Sequence, residues 1–432
     1  MSHSAKLSLP AAILINLNVM VGSGVFINTV LLSKNAGGLG AAAYALVGIL
    51  LLPLILSMSS LARIHRGGTF YDYGSHLGTF GGFLTMASYF LAKLSSCAVA
   101  IHVCISLLQT IFPPLKALPI LLVDCCVVLL FAALNTRNLR VGKQIQLFFI
   151  VGKFIPITFV ILTGFYLFSP GNFAPENLLP SGIVTSVPFI LYAFMGFEAS
   201  CSLSRFLQDP ERNGPRAMLI SYLLGITVVC LFQFMFYASL GPLLASLGSY
   251  LEAFPALLGQ LPLATGTAVS LKALLHLGIA SSVLGTAYGI MYSNAWNLYE
   301  LAVHGHVVKQ KLLVHLNQHQ IPIFCVFVEA VIVIGYLLAS QGNQVPLQQI
   351  SASGSTIAYM LCAVSLVVAL YRLKGRIFLM PLLGVASCLL LLGALCRNYL
   401  VYGVVPVALF ALLLLLASSM FRSNGSLMSS KQ

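Results

Sequence analysis

Charge is what this sequence lacks. Of its 432 residues only 7% are Asp, Glu, Lys or Arg, against roughly 25% in an ordinary soluble domain. A soluble fold of this size needs far more polar surface, so a soluble enzyme, a disordered chain and a nucleic-acid binder are excluded. Acid is scarcest: nine Asp and Glu stand against 22 Lys and Arg, for a formal net charge of +13. In a soluble protein that excess would suggest nucleic acid; in a membrane protein it reports loops biased towards one side. Also missing are a P-loop, an HExxH, a GxSxG and any paired-Asp constellation, which argues against a primary pump and an intramembrane enzyme. The ten Cys include no CxxC and no zinc-type spacing. They sit in or beside apolar runs and read as small buried hydrophobes. No metal, cofactor or nucleic acid is expected.

What is there is apolar: 59% of the chain, with a mean hydropathy of +0.98. A helix crosses the hydrocarbon core in about 20 apolar residues. That rule places twelve spans near 9–32, 39–62, 82–110, 117–134, 145–168, 183–206, 217–241, 268–299, 322–340, 350–371, 378–395 and 400–421. Polar or Pro/Gly-bearing joints separate them, and the longest, about 241–267, has room for a short surface helix. The first run is too long for a signal peptide and lacks a small-residue cleavage site, so span 1 is expected to stay in the mature chain.

Lys and Arg set the orientation. With the N-terminus inside, sixteen fall on the inner side: Lys6, Arg63, Arg66, Arg137, Arg140, Lys143, Arg205, Arg212, Arg216, Lys309, Lys311, Arg372, Lys374, Arg376, Arg422 and Lys431. Three fall outside, Lys34, Lys116 and Arg397, and three lie in or at the edge of spans, Lys93, Lys153 and Lys272. An alternation this one-sided predicts twelve crossings with both termini cytoplasmic.

Two spans carry breaks. Span 1 contains Val21-Gly22-Ser23-Gly24-Val25-Phe26. Two glycines around a serine weaken a helix, and unwound backbone at membrane depth must line a cavity or be buried in protein. The alternative is a small-residue groove for a neighbouring helix. Span 6 contains Tyr192-Ala193-Phe194-Met195-Gly196-Phe197-Glu198, with Pro188 one turn earlier. A carboxylate there is a functional candidate by default. Spans 1 and 6 open successive sets of five, and interrupted helices in corresponding positions point to an inverted-repeat transporter. The N-terminus of a half-helix offers free N–H groups to a carboxylate, and its C-terminus offers free C=O groups to an ammonium. Together they suit the head group of an α-amino acid.

Several motifs in order carry a family resemblance. They are Gly22-Ser23-Gly24-Val25-Phe26; Gly67-Gly68-Thr69-Phe70-Tyr71-Asp72-Tyr73 with Gly78 and Gly81-Gly82-Phe83; Ala193-Phe194-Met195-Gly196-Phe197-Glu198; Asp209-Pro210-Glu211-Arg212-Asn213-Gly214-Pro215-Arg216-Ala217; and Asn297-Leu298-Tyr299-Glu300-Leu301-Ala302-Val303-His304-Gly305. The sequence resembles the amino acid–polyamine–organocation superfamily of amino acid permeases across spans 1 to 10. The last motif departs from the family's form, with Val303 and His304 where an Arg-Asp pair is usual. The resemblance implies an all-α integral membrane protein of twelve helices. Its ten-helix core, within 1–376, would hold LeuT-like inverted repeats at about 9–168 and 183–371. Two peripheral helices and a short cytoplasmic tail would fill 377–432. It also implies a substrate carboxylate on the backbone around Gly22, Ser23, Gly24 and Val25. The amino group would meet carbonyls near Tyr192, Ala193 and Phe194, beside Gly196. Tyr192 would act as an aromatic gate, and Glu198 would help couple the half-helices.

Two buried lysines complete the candidates. Lys153 lies mid-span 5, where desolvation disfavours its charged form. By resemblance to proton-coupled family members it would replace a sodium ion between spans 1, 5 and 8, with Ser281 and Ser282 as neighbours. The alternatives are a fixed structural cation and a snorkelling lysine. Lys93 lies in span 3 with Cys97 one turn on, where the family forms the side-chain pocket. It would favour an anionic side chain, or else pair with an acid such as Asp124. His102, Asp124, His276 and Glu329 are expected to face neighbouring helices. His304 and His306 read as a solvated loop or a pH-responsive gate. The expected function is amino acid transport by alternating access across the plasma membrane (the inner membrane if bacterial), with protons as coupling ion. Exchange of one amino acid, or its amine, for another is the alternative.

Overall fold

The computed structural model describes residues 6–419 and 421, except residues 67, 138 and 377. Gly67, Arg422 and Lys431, and the side chains of Arg140 and Lys143, lie outside the described set. The chain runs through α1 (Leu9–Met20), α2 (Ser23–Ala36), α3 (Gly40–Ile64), α4 (Phe70–Gly74), α5 (Thr79–Ile111), α6 (Pro113–Lys116), α7 (Ile120–Asn135), α8 (Leu139–Tyr166) and α9 (Gly182–Phe194). It continues through α10 (Pro210–Leu240), α11 (Pro242–Ser246), α12 (Ala253–Gly259), α13 (Thr265–Val303), α14 (Gln310–Leu313), α15 (Ile323–Ser340), α16 (Gln344–Lys374), α17 (Leu379–Tyr402) and α18 (Val405–Ser419). Among the described residues, β structure is limited to the isolated bridges Leu7–Leu207 and Gly37–Leu178.

Among the described residues, ten segments are long and apolar enough to cross a membrane. The fourth and twelfth expected spans appear as the shorter apolar helices α7 and α18, of 16 and 15 residues. The stretch 241–267 holds two short helices, α11 and α12, where one short surface helix was expected, and α12 buries Phe254, Leu257 and Leu258. Arg397, expected in an outer loop, instead lies inside α17, which continues to Tyr402 and turns at Gly403 with φ 100°. The run of apolar residues on both sides of Arg397 outweighs one charge, because a long side chain near a helix end can extend its head outwards.

Both expected breaks are present. α1 stops at Met20; Val21 and Gly22 leave helical geometry, and α2 restarts at Ser23. α9 ends at Phe194, Met195 is extended, and a tight 3-10 helix, Ala199–Phe206, follows Glu198. Gly196 takes φ 127°, a region closed to residues with a side chain. A Cβ there would also sit 2.5 Å from the Met20 backbone nitrogen.

The breaks lie in the middle of the bundle. α1 packs on α10 and α13, α2 on α9, and the long α5 runs along α13 and α16. On α8, by contrast, Phe148, Val151, Phe154, Ile155, Leu162 and Phe165 are exposed. An apolar face of this extent suits hydrocarbon and not water.

Candidate substrate and cation site

The two broken helices meet where both are open. Helix geometry leaves the N–H groups of Ser23, Gly24 and Val25 without intrahelical acceptors, and the last carbonyls of α9 without intrahelical donors. Gly24 lets the chains touch: a Cβ there would lie 2.8 Å from Ala193 Cα and 2.9 Å from Tyr192 Cδ1. Side chains then tie the halves together. Ser23 Oγ and Tyr192 Oη lie 2.5 Å apart, and Asn28 Nδ2 donates to Phe189 O at 2.7 Å. Beside this crossing is a cavity of about 10 Å³, lined by Val19, Met20, Gly22, Ser23, Gly24, Lys93, Ser96, Tyr192, Met195, Thr286 and Ile290. That is room for about one water, so an amino acid enters only if the lining moves.

Lys153 sits at the other side of the α1 break, 1% exposed. Its Nζ donates to Asn18 O at 3.0 Å and to Val21 O at 2.8 Å. Two hydroxyls from α13 share those carbonyls: Ser282 Oγ donates to Val21 O and Thr286 Oγ1 to Asn18 O, each at 3.0 Å. The ammonium thus occupies a nest of main-chain and hydroxyl oxygens between α1, α8 and α13, a donor set that would suit a small monovalent cation. Its depth and partners leave no path for snorkelling. Ser281, the other expected neighbour, instead faces Gly152.

Lys93 is paired, and with Glu198 in place of Asp124. Nζ lies 2.8 Å from Oε1, with the two side chains 3% and 0% exposed. Tyr89 Oη donates to the same oxygen at 2.9 Å, and the Gly196 N–H donates to Oε2 at 3.0 Å. The Tyr89 ring lies 5.3 Å from the ammonium. Asp124 takes a different partner, His102, at 2.7 Å. His276 accepts or donates to Thr110 at 3.0 Å. These groups face helices, not the cavity.

Of the residues singled out in the sequence, Gly22, Ser23, Gly24, Tyr192 and Lys93 line the cavity. Val25, Ala193, Phe194, Gly196 and Glu198 stand behind it. Cys97 turns away and points its Sγ at Ala287 O, 3.6 Å off. Val19, Met20, Ser96, Met195, Thr286 and Ile290 were missed. Ser96 is one turn from Lys93, and Thr286 and Ile290 follow Ser282 at steps of four, so helical spacing was the available signal.

One end of the bundle is closed by a separate set of contacts. Leu7 pairs with the segment after the 3-10 helix, donating to Phe206 O at 2.7 Å and accepting from Gln208 N at 2.9 Å. Arg205 forms an ion pair with Glu300 and lies 4.9 Å from the Trp296 and Tyr299 rings. Glu300 lies within the Asn297–Gly305 motif, whose usual Arg-Asp pair is replaced by Val303 and His304. A surface cavity of about 480 Å³ over these groups reaches Lys6, His65 and Asp72. His304 and His306 are not a solvated loop. Tyr71 stacks on His304 at 3.9 Å and hydrogen-bonds His306 Nε2 at 2.7 Å. Burial holds His304 below its usual value, against an upward pull from Asp72. Burial does the same to His65 and His76, whose Nε2 atoms lie 3.1 Å apart.

Membrane-length helices around two crossed half-helices, with open backbone ends beside a small cavity, define a multi-pass helical membrane protein with two helices broken inside its bundle. The chain belongs to the amino acid permease family, whose profile matches residues 7–426. It is a family of transporters, not enzymes. The chain is 25% identical over 335 residues to Asc-type amino acid transporter 1 of Mus musculus, covering 72% of this chain and 61% of the relative. It is 24% identical over 321 residues to large neutral amino acids transporter small subunit 2 of Mus musculus and of Homo sapiens, covering 69% of this chain and 58% of each relative. The matched region is therefore about three-fifths of those relatives' length.

Proposed function

We propose that this protein is a secondary transporter that carries an amino acid across the plasma membrane by alternating access, coupled to protons through Lys153. The crossing of α2 and α9 carries the substrate half of this reading. Free N–H groups at Ser23, Gly24 and Val25 take the carboxylate, and the carbonyls of Tyr192, Ala193 and Phe194 take the ammonium. Tyr192, bonded to Ser23, closes over the pair. The names of the relatives support an amino acid as cargo.

The coupling half rests on Lys153. Its ammonium holds Asn18 O and Val21 O on the far side of the same break. Loss of its proton would remove the charge that holds these carbonyls, and α1 could then tilt. Proton release would thereby be linked to the geometry of the carboxylate site, as a differential affinity between two states requires. The surrounding architecture is twelve crossings, with α7 and α18 completing the ten longer segments. α1 to α8 and α9 to α16 form inverted repeats, and both termini are cytoplasmic by the bias of basic residues.

The double anchoring of Lys153 also supports a second reading: a permanent cation in a proton-independent exchanger. Proteoliposome uptake separates the two. With a labelled amino acid panel, the symport reading expects accumulation driven by an inward proton gradient and abolished in Lys153→Ala. Uptake that needs internal amino acid and ignores the gradient would establish exchange instead. Dependence on Na⁺ would sink the role given to Lys153.

A further inference from the structure

Among the described residues, Lys93 is the one charged side chain in the cavity wall. Alone it would draw in a side-chain carboxylate. It is not alone: Glu198, directly behind it, is fully buried and spends both oxygens on Lys93, Tyr89 and the Gly196 N–H. The pair therefore presents the cavity with ammonium N–H donors and no net charge. Ser96 adds a hydroxyl to the same wall.

We propose that Glu198 is an internal counter-ion that masks Lys93, and that this pair sets the side-chain specificity of transport. The inference rests on the transporter reading above. A neutral side chain with a hydrogen-bond acceptor can take an N–H from Lys93 without disturbing the pair. A carboxylate would have to compete with Glu198 for Lys93, and an ammonium would be set against Lys93 itself. Either brings an uncompensated charge into a dry site, which is costly. The same pair fastens the unwound Met195–Glu198 segment to α5, so the mask and the substrate-binding backbone move together.

The test is competition against uptake of labelled L-serine into proteoliposomes holding the full-length protein. Asparagine, aspartate, 2,4-diaminobutyrate and leucine are near-isosteric competitors that differ mainly in charge and hydrogen bonding. In the wild type, asparagine should compete at least about tenfold better than aspartate or diaminobutyrate, a like-charge or unpaired-charge penalty of the usual size. Glu198→Gln unmasks Lys93 and should raise the aspartate-to-asparagine ratio about tenfold. Lys93→Met leaves Glu198 unmatched and should raise the diaminobutyrate-to-asparagine ratio instead. The Lys93→Met/Glu198→Gln double variant should return both ratios towards the wild type. If Glu198→Gln does not fold, the wild-type order still decides: equal competition by aspartate and asparagine overturns the masking role. An unchanged ratio in a folded Glu198→Gln overturns it too. Serine uptake with the wrong ratios rejects the mask alone, whereas no uptake of any amino acid rejects the transporter reading and the mask with it.

Discussion

Lys93 and Glu198 show how much a single residue can decide in a chain with so little charge. Breaking a buried ion pair by removing one partner costs about 3–5 kcal/mol, whereas replacing both with neutral groups costs far less. Lys93→Met should therefore lower thermal stability in detergent sharply, and adding Glu198→Gln should restore most of it. A double variant no more stable than the single one would show that the two do not depend on each other. The lysines and Glu198 were legible in the sequence because a charge inside an apolar run is conspicuous. The partner was not. Helical spacing says which face a side chain occupies, but not which distant segment comes to meet it, so the acid suggested for Lys93 was Asp124, not Glu198. Thr286 and Ser96 had only helical spacing to mark them, and Met195 only its place in the second break, because small polar residues and methionines are ordinary in packed membrane helices.

At the scale of elements, the two breaks were the clearest signal in the sequence, and they lie where the glycines put them. Their consequence was harder to read, because it depends on contact between segments more than 150 residues apart in sequence. Gly196 joins the two levels. Its φ of 127° demands glycine, and its α-carbon faces the Met20 backbone. Gly196→Ala should cost about 1–3 kcal/mol in backbone strain and push α1 away from the 3-10 helix. The Gly196 N–H that holds Glu198 would be displaced as well. Substrate affinity should fall more than expression does, which equilibrium binding on purified protein would measure. Unchanged binding would mean that the 195–198 segment does not shape the site. Span ends were less legible than breaks. Arg397 lies inside α17 because apolar residues flank it on both sides, whereas the placement of His304 and His306 against Tyr71 follows from packing that no local pattern encodes.

For the whole molecule, the proposed alternating access requires that one end of the bundle open at modest cost. The end bearing Leu7, Arg205 and Glu300 has the right strength. Arg205 is 35% and Glu300 14% exposed in their ion pair, so water reaches the pair and screening weakens it. The remaining contacts are one short bridge and a group of aromatic and histidine rings. His65, His76 and His304 are each held below the ordinary value by burial. His65 and Arg372 depress His76 further, His306 depresses His304, and Asp72 pulls His65 and His304 the other way. A histidine lowered in the closed state binds fewer protons there than when exposed, so acid favours exposure. The closed arrangement should be fully stable above about pH 6.5, weaken as pH falls through that value, and level off once the buried rings are protonated. A cysteine placed at Ser204, which lines the 480 Å³ cavity, should react faster with a polar thiol reagent at acid pH once corrected for thiolate fraction. Replacing His65 and His76 together with glutamine should flatten that dependence while leaving the Arg205–Glu300 pair in place. Greater protection in acid would reverse the sign and show that the rings hold this end open, not shut.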